Sequence, residues 1–210
     1  MKTICPTVLA NDAQDYQTQM NKISGFAKRI QIDLTDGIFA GSATVALEQV
    51  WWPEQIEKVD LHLMYKDPTK VINDVIRLKP HMAIVHAEAD GKFIKIVHQL
   101  KKHNIKTGVA LLAKTSTHVL KPALENISHV LIFSGDLGKF GGIADLSLLK
   151  KAQQLKEWRS DLEIGWDGGV NDQNAKELAD GGVDVLNVGG FIQHAVEPNQ
   201  AYKKLVNLVT

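Results

Sequence analysis

The stretch Leu162-Glu-Ile-Gly-Trp-Asp-Gly-Gly-Val-Asn171 shows the local pattern on which the predicted fold rests. A short apolar run leads to a carboxylate, Asp167, and then to the glycine pair Gly168 and Gly169. Asn171, followed by Asn174, is typical of a helix N-terminus, because an asparagine side chain accepts hydrogen bonds from the first free N–H groups. The stretch therefore predicts a strand, a tight turn and a helix in succession.

Similar apolar runs of strand length recur along the chain, and most lack the polar alternation of half-exposed strands. They occupy residues 4–9, 30–34, 59–64, 83–85, 107–112, 130–133, 162–164 and 183–188. Between them, apolar residues recur at helical spacing, as in Phe93, Ile96, Val97 and Leu100. Eight such units at about 26 residues each fit a small α/β fold, the (β/α)8 TIM barrel. Local patterns do not encode strand order, so a doubly wound open sheet is the alternative.

Composition bounds the kind of protein. The 210 residues carry 24 basic and 24 acidic side chains, and this balance gives no support to a nucleic-acid binder held by a basic face. The hydrophobic fraction of 44% is that of a globular chain, and no linker-like segment divides it, so residues 1–210 are expected to form one domain. A single cysteine, Cys5, and no apolar run of about 18 residues indicate a cytoplasmic protein without a membrane span.

Two strands carry polar side chains where a barrel places its functional groups. In Gln31-Ile-Asp33-Leu-Thr35, alternation puts Gln31 and Asp33 on one face, pointing into the barrel mouth. Burying a carboxylate there is costly unless it is paired, bound to metal or used in a reaction. His62 lies among leucines in the third run, where a lone histidine is more often a satisfied core residue than a ligand.

Glycines follow the last three predicted strands. Gly168 and Gly169 come after the seventh strand, and Gly189 and Gly190 after the eighth, where barrels of this kind hold phosphate. The sixth run leads into a glycine-rich loop that contains Lys139, Gly141 and Gly142. Each pair alone also fits a tight turn, but together they predict a phosphate site.

In combination and order, these segments resemble the ribulose-phosphate 3-epimerase family over essentially the whole chain. The matching segments include residues 4–9, 32–39, 60–64, 84–88, 108–111, 140–142, 167–171 and 188–190. The resemblance implies a TIM barrel of the ribulose-phosphate-binding type. It also implies transfer of a proton at carbon 3 of a phosphorylated ketose by two aspartates, through a metal-stabilised enediolate.

The resemblance further implies roles for individual residues. Asp33 and Asp167 match the two aspartates, which serve as catalytic groups and as ligands of a divalent metal, usually zinc (manganese or iron being alternatives). His62 matches the second histidine ligand, while Gln31 stands where the family has the first, which marks this chain as divergent. The remaining substrate-binding positions are Thr7, which replaces a serine, Met64, and the glycines Gly141, Gly142, Gly168, Gly169, Gly189 and Gly190.

Three functions remain open at this point. A sugar-phosphate 3-epimerase that forms homo-oligomers is the expected one. A sugar-phosphate-binding barrel with lost or altered catalysis is the alternative, because Gln31 is a poorer zinc donor than histidine. The decarboxylase and aldol-type relatives use an Asp-x-Lys-x-x-Asp pattern, which does not occur here, since position 35 is threonine.

Overall fold

The computed structural model describes residues 2–91 and 93–210 of the chain, which fold around a closed barrel of eight parallel strands. The strands run in chain order around the barrel, and β8 pairs with β1 to close it. Their bounds are β1 Thr3–Val8, β2 Arg29–Thr35, β3 Lys58–Met64, β4 Met82–His86, β5 Lys106–Leu111, β6 His129–Phe133, β7 Glu163–Asp167 and β8 Val185–Val188. Each lies within a few residues of a predicted run. The TIM barrel is confirmed, and the open sheet is wrong.

Helices cover the outside of the barrel. They are α1 Ala13–Ser24, α2 Ile72–Leu78, α3 Phe93–Lys102, α4 Leu149–Trp158, α5 Ala175–Asp180, α6 Gly190–Gln193 and α7 Pro198–Val209. Two crossovers depart from the strand-helix repeat. A 3₁₀ turn, Leu47–Gln49, lies between β2 and β3, and a 3₁₀ segment, Thr117–Asn126, lies between β5 and β6. Pro122 lies inside the second segment and cannot donate the N–H that an α-helix requires there.

The main apolar core lies between the barrel and its helices. Outward-facing strand residues such as Ile32, Leu34, Leu61 and Leu63 are fully buried there. Each such side chain contributes roughly 1.5–3 kcal/mol relative to leaving it exposed. A smaller apolar cluster of Met82, Ile84, Ala110 and Leu131 fills the inside of the barrel. The inside of the barrel is therefore a packed core and not a pore.

Strand register brings the predicted site residues to one level. Asp33 pairs with His62 across β2 and β3, and Phe133 pairs with Asp167 across β6 and β7. Thr7 pairs with Gln31 across β1 and β2. Because partners in adjacent parallel strands face the same side, these side chains all point into the barrel. None of the helices in the described ranges is long and apolar enough to cross a membrane.

Candidate active site

Asp33, Asp167, His62 and Gln31 meet at the floor of a cleft in the barrel mouth. Gln31 Nε2 donates to Asp33 Oδ1 at 2.8 Å and to Asp167 Oδ2 at 2.6 Å. His62 Nδ1 lies 2.8 Å from Asp33 Oδ1 and 3.7 Å from Asp167 Oδ2. Residues from strands far apart in sequence thus form one hydrogen-bonded group around the two carboxylates.

Burial changes the ionisation of this group. It raises the pKa of Asp33 to about 7, against hydrogen bonds from Gln31 and Thr7 that favour the charged form. Burial and the charge of Asp33 raise the pKa of Asp167 to about 7 as well. Burial also lowers the pKa of His62 to about 4, so that its ring is neutral near pH 7. Near neutral pH, the two carboxyl groups are therefore poised between the charged and the protonated form.

The donor set fits a divalent metal ion. Ligand atoms of Asp33, His62 and Asp167 all lie within 4.8 Å of one another. Two carboxylates and one imidazole make a set that zinc accepts while keeping a position open. Gln31 Oε1 is buried and has no hydrogen-bond partner among the described residues, so its amide oxygen is available as a further donor. The amide is a weaker zinc donor than an imidazole at the same place.

Above this floor the cleft is narrow and rich in glycine. Its volume is about 500 Å³ including the open mouth. Its walls contain Thr7, Met64, Lys139, Phe133, Gly141, Gly168, Gly169, Gly189 and Gly190, with Asp33 and Asp167 at the floor. Of the predicted substrate-binding residues outside the floor, all but Gly142 line this cleft. Gly142 lines an adjoining groove with Gly141, Gly169 and Gly190.

The glycines after β7 also have a packing reason. Gly168 has φ +112°, and a Cβ there would lie 2.1 Å from the backbone nitrogen of Gly135 in the β6 loop. Gly169 has φ +70°, and a Cβ would lie 2.3 Å from the nitrogen of Ala144. The tight turn predicted for these glycines is therefore present, because the two loops touch at the cleft wall, and the approach of a ligand to them stays a prediction.

Sequence reasoning assigned no role to His86 or Glu88. His86 Nε2 lies 2.9 Å from His62 Nε2, and Glu88 Oε2 lies 3.4 Å from His86 Nδ1. Both residues stand in the matching segment 84–88, which was the signal available. His129, by contrast, binds Glu163 at the opposite end of the barrel.

A closed parallel barrel with carboxylates and histidines at the carboxyl ends of its strands belongs to the TIM-barrel class. The model of the ribulose-phosphate 3 epimerase family matches residues 3–193, and the chain belongs to that family. It is 29% identical over 213 residues to the ribulose-phosphate 3-epimerase of Helicobacter pylori (strain J99), covering 98% of this chain and 97% of that one. It is 26% identical over 214 residues to the same enzyme of Bacillus subtilis (strain 168), covering 98% of each.

Solved structures with the same barrel are more distant in sequence. The 3-keto-L-gulonate-6-phosphate decarboxylase of Vibrio cholerae superposes with a TM-score of 0.74 at 12% identity, over 99% of this chain and 97% of that one. The 3-hexulose-6-phosphate synthase of Salmonella typhimurium gives 0.70 at 15% identity, over 100% of this chain and 98% of that one. At these identities the likeness establishes the fold alone.

Proposed function

We propose that this protein is an isomerase that epimerises a phosphorylated ketose at carbon 3, of the ribulose 5-phosphate and xylulose 5-phosphate type. Family membership supports the reaction class. The observation that carries the proposal is the meeting of Asp33 and Asp167 at the cleft floor, where each has its pKa raised to about 7. Epimerisation needs one group that takes a proton and one that returns it, and both work best with a pKa near the operating pH.

The two aspartates act on opposite faces of carbon 3. One carboxylate removes the proton from carbon 3, which is acidic because the ketone lies next to it. The other, in its protonated form, delivers a proton to the opposite face of the enediolate. Two carboxyl groups this close share one proton most readily, which leaves one acid and one base. Gln31 keeps both carboxyl groups in position through its amide N–H groups.

The other residues bind and orient the substrate. Lys139 and the glycine-lined wall formed by Gly141, Gly168, Gly169, Gly189 and Gly190 take the phosphate. Thr7, Met64 and Phe133 line the same cleft and would contact the sugar. A divalent metal held by Asp33, His62 and Asp167, with Gln31 as a further donor, would supply Lewis-acid stabilisation of the negative oxygen. The enzyme is proposed to be a cytoplasmic homo-oligomer with one barrel domain per chain.

Proton exchange at carbon 3 tests this function directly. The protein is incubated with D-ribulose 5-phosphate in deuterated buffer and followed by proton NMR, with added zinc or manganese and with a chelator. Deuterium at carbon 3 and the appearance of xylulose 5-phosphate are expected. Asp33→Asn and Asp167→Asn should each lower turnover about 10³-fold, the range for a lost acid or base, while substrate binding persists.

Asp180→Asn is the matched control, because that side chain is 67% exposed on α5 and undergoes the same chemical change. It should retain full turnover. Full activity of either aspartate variant would contradict the mechanism. Binding of the sugar phosphate by the unmodified protein without any exchange would instead identify a binding protein that has lost catalysis.

A further inference from the structure

His62 is in contact with a second buried histidine that the proposed reaction does not use. His86, the last residue of β4, places its Nε2 2.9 Å from His62 Nε2. Both rings are fully buried. Phe39 and Phe133 pack against His86 with ring centroids 4.9 Å and 5.9 Å away. Because both rings are buried, solvent does not reach the contact between them. Which ring donates depends on where each imidazole carries its N–H.

Glu88 anchors the far side of this contact. Its Oε2 lies 3.4 Å from His86 Nδ1, and its Oε1 accepts the backbone N–H of Leu112 at 2.9 Å. The Leu112 carbonyl in turn accepts Lys151 Nζ at 2.8 Å. The carboxylate is thus fixed to the end of β5. A chain of contacts runs from Asp33 through His62 and His86 to Glu88.

A proton count constrains this chain. Two neutral imidazoles carry one N–H each, while the chain has three junctions: Asp33 with His62, His62 with His86, and His86 with Glu88. If His86 donates from Nδ1 to Glu88, its Nε2 accepts from His62 Nε2, and the lone pair of His62 Nδ1 faces Asp33 and Asp167. If His86 donates from Nε2, His62 Nδ1 carries the hydrogen instead and cannot bind a cation.

We propose that His86 and Glu88 are positioning residues that keep His62 in the tautomer whose Nδ1 binds the metal. This inference rests on the proposed function in one respect: the metal that His62 would bind is the divalent ion proposed for that reaction. Ligating histidines generally donate their other N–H to a fixed acceptor, which sets the ring orientation and the tautomer. Here that acceptor is a second imidazole, itself held by a carboxylate. Among the described residues, His86 Nδ1 and Glu88 Oε2 have no hydrogen-bond partner, and the 3.4 Å separation between them leaves each atom available to the other.

Glu88→Gln should reverse the donor–acceptor direction of the contacts between residue 88 and Asp33, at a nearly constant side-chain volume. The glutamine carbonyl still accepts from Leu112, and its amide N–H now faces His86 Nδ1, which must become an acceptor. The hydrogen of His86 then moves to Nε2, and that of His62 moves to Nδ1. We expect the affinity for Zn²⁺, measured by competition with a chelating dye, to fall about 10- to 100-fold.

Glu57→Gln removes the same charge at a side chain that is 64% exposed and should leave zinc affinity unchanged. Nitrogen-15 NMR of the histidine rings separates proton relocation from simple loss of charge. In the metal-free protein, His86 should be protonated at Nδ1, and in Glu88→Gln at Nε2. Weaker zinc binding in Glu88→Gln without movement of this hydrogen would overturn the inference, because the lost charge alone would then explain the change.

The unmodified protein tests the inference even if Glu88→Gln fails to fold. A hydrogen on Nε2 of His86 in the metal-free protein would overturn it. So would equal zinc affinities for the unmodified and Glu88→Gln proteins. Neither result bears on exchange at carbon 3, so the inference and the proposed function can fail separately. Absence of exchange together with the expected tautomers and affinities would leave the inference standing.

Discussion

The two ends of the barrel each bury a cluster of charged and polar groups, and the clusters differ in whether a cation pairs with the carboxylates. Burial raises the pKa of Asp60 at the amino-terminal end, even though a cation pairs with it. At the amino-terminal end, Arg29 binds Asp60 at 2.7 Å and Glu163 through two hydrogen bonds of 2.8 and 2.9 Å. His129 adds a contact of 2.8 Å to Glu163. Burial opposes ionisation of Glu163, but the hydrogen bonds from His129 and Arg29 prevail and hold its pKa below the usual range.

At the carboxyl-terminal end, the carboxylates of Asp33 and Asp167 have no such cation. Among the described residues, no lysine or arginine forms an ion pair with either of them. Their partners are the neutral amide of Gln31 and the neutral ring of His62. One end is thus a cluster of ion pairs that links β2, β3, β6 and β7, although Asp60 Oδ1 and His129 Nε2 have no hydrogen-bond partner among the described residues. The other buries two carboxyl groups without a neutralising lysine or arginine, at a cost in stability.

Replacing Arg29 with methionine is expected to have the largest effect on stability. It leaves the buried Asp60 and the half-buried Glu163 without their cation, and such uncompensated charges cost about 3–5 kcal/mol. Urea denaturation monitored by circular dichroism should report this loss in the free energy of unfolding. Turnover per folded molecule should not change, because Arg29 lies at the opposite end of the barrel from the cleft.

Lys28→Met is the neighbouring control. Lys28 forms an exposed ion pair with Glu57, with side chains 67% and 64% exposed. Such pairs contribute about 0–1 kcal/mol. If both substitutions had equally small effects, the amino-terminal cluster would not be the stabilising one, and the contrast between the two ends would fail.

Much of the fold could be predicted from the sequence, because each strand and its neighbouring helix are marked by residues close together in the chain. Strands buried on both faces appear as uninterrupted apolar runs, and all eight runs mark real strands. The apolar spacing of the segment between β5 and β6 does not distinguish a 3₁₀ helix from an α-helix. Pro122 is the one local feature that disfavours an α-helix there. Strand order and closure depend on pairing between distant segments, so the open sheet could be excluded only by the structure.

The candidate site was predictable where a charged residue stands in or directly after an apolar stretch of sequence. Asp33 is a carboxylate within an apolar run, and Asp167 precedes two glycines. His86 gives no such signal, because a histidine at the end of an apolar run can equally be a core residue. Its contact with His62 depends on β3 and β4 lying side by side, where His62 pairs with Ile84. The amide bridge from Gln31 likewise requires β2 and β7 to face each other across the closed barrel.

Asp167→Asn should stabilise the metal-free protein in a pH-dependent way. The pKa of Asp167 is about 7 in the folded state, against an ordinary value of 3.8. Between these values, the folded protein binds a proton that the unfolded chain has lost, so this residue destabilises the fold as pH rises. At pH 7.5 the variant should gain about 2 kcal/mol, a value discounted for partial solvent access. The corresponding rise in Tm is about 4–8 °C.

Near pH 4 most of the gain should be lost, because Asp167 is then protonated in the folded state and close to its own pKa in the unfolded chain. Thermal unfolding with a chelator present, at both pH values, measures the difference. Asp180→Asn, at an exposed position, should show no pH-dependent gain. A gain of the same size at pH 4 and pH 7.5 would mean that burial of charge is not what destabilises the carboxyl-terminal end.

Gln31→His is expected to have the smallest effect, and it tests how that end accommodates a cation. Gln31 is completely buried, and its side-chain amide donates hydrogen bonds to the carboxylates of Asp33 and Asp167. An imidazole offers a better zinc donor than the amide oxygen. Zinc affinity, measured by dye competition, should rise about 10-fold, equivalent to about 1.4 kcal/mol.

Gln17→His is the control for an added histidine, because Gln17 is exposed on α1, outside the cleft. It should leave the affinity of the site unchanged. An unchanged affinity in Gln31→His would mean that Asp33, His62 and Asp167 alone determine how zinc is held. The amide would then serve only to keep the two carboxyl groups together. An increase would instead show that the substitution at position 31 trades metal affinity for a neutral bridge between the proton-transferring groups.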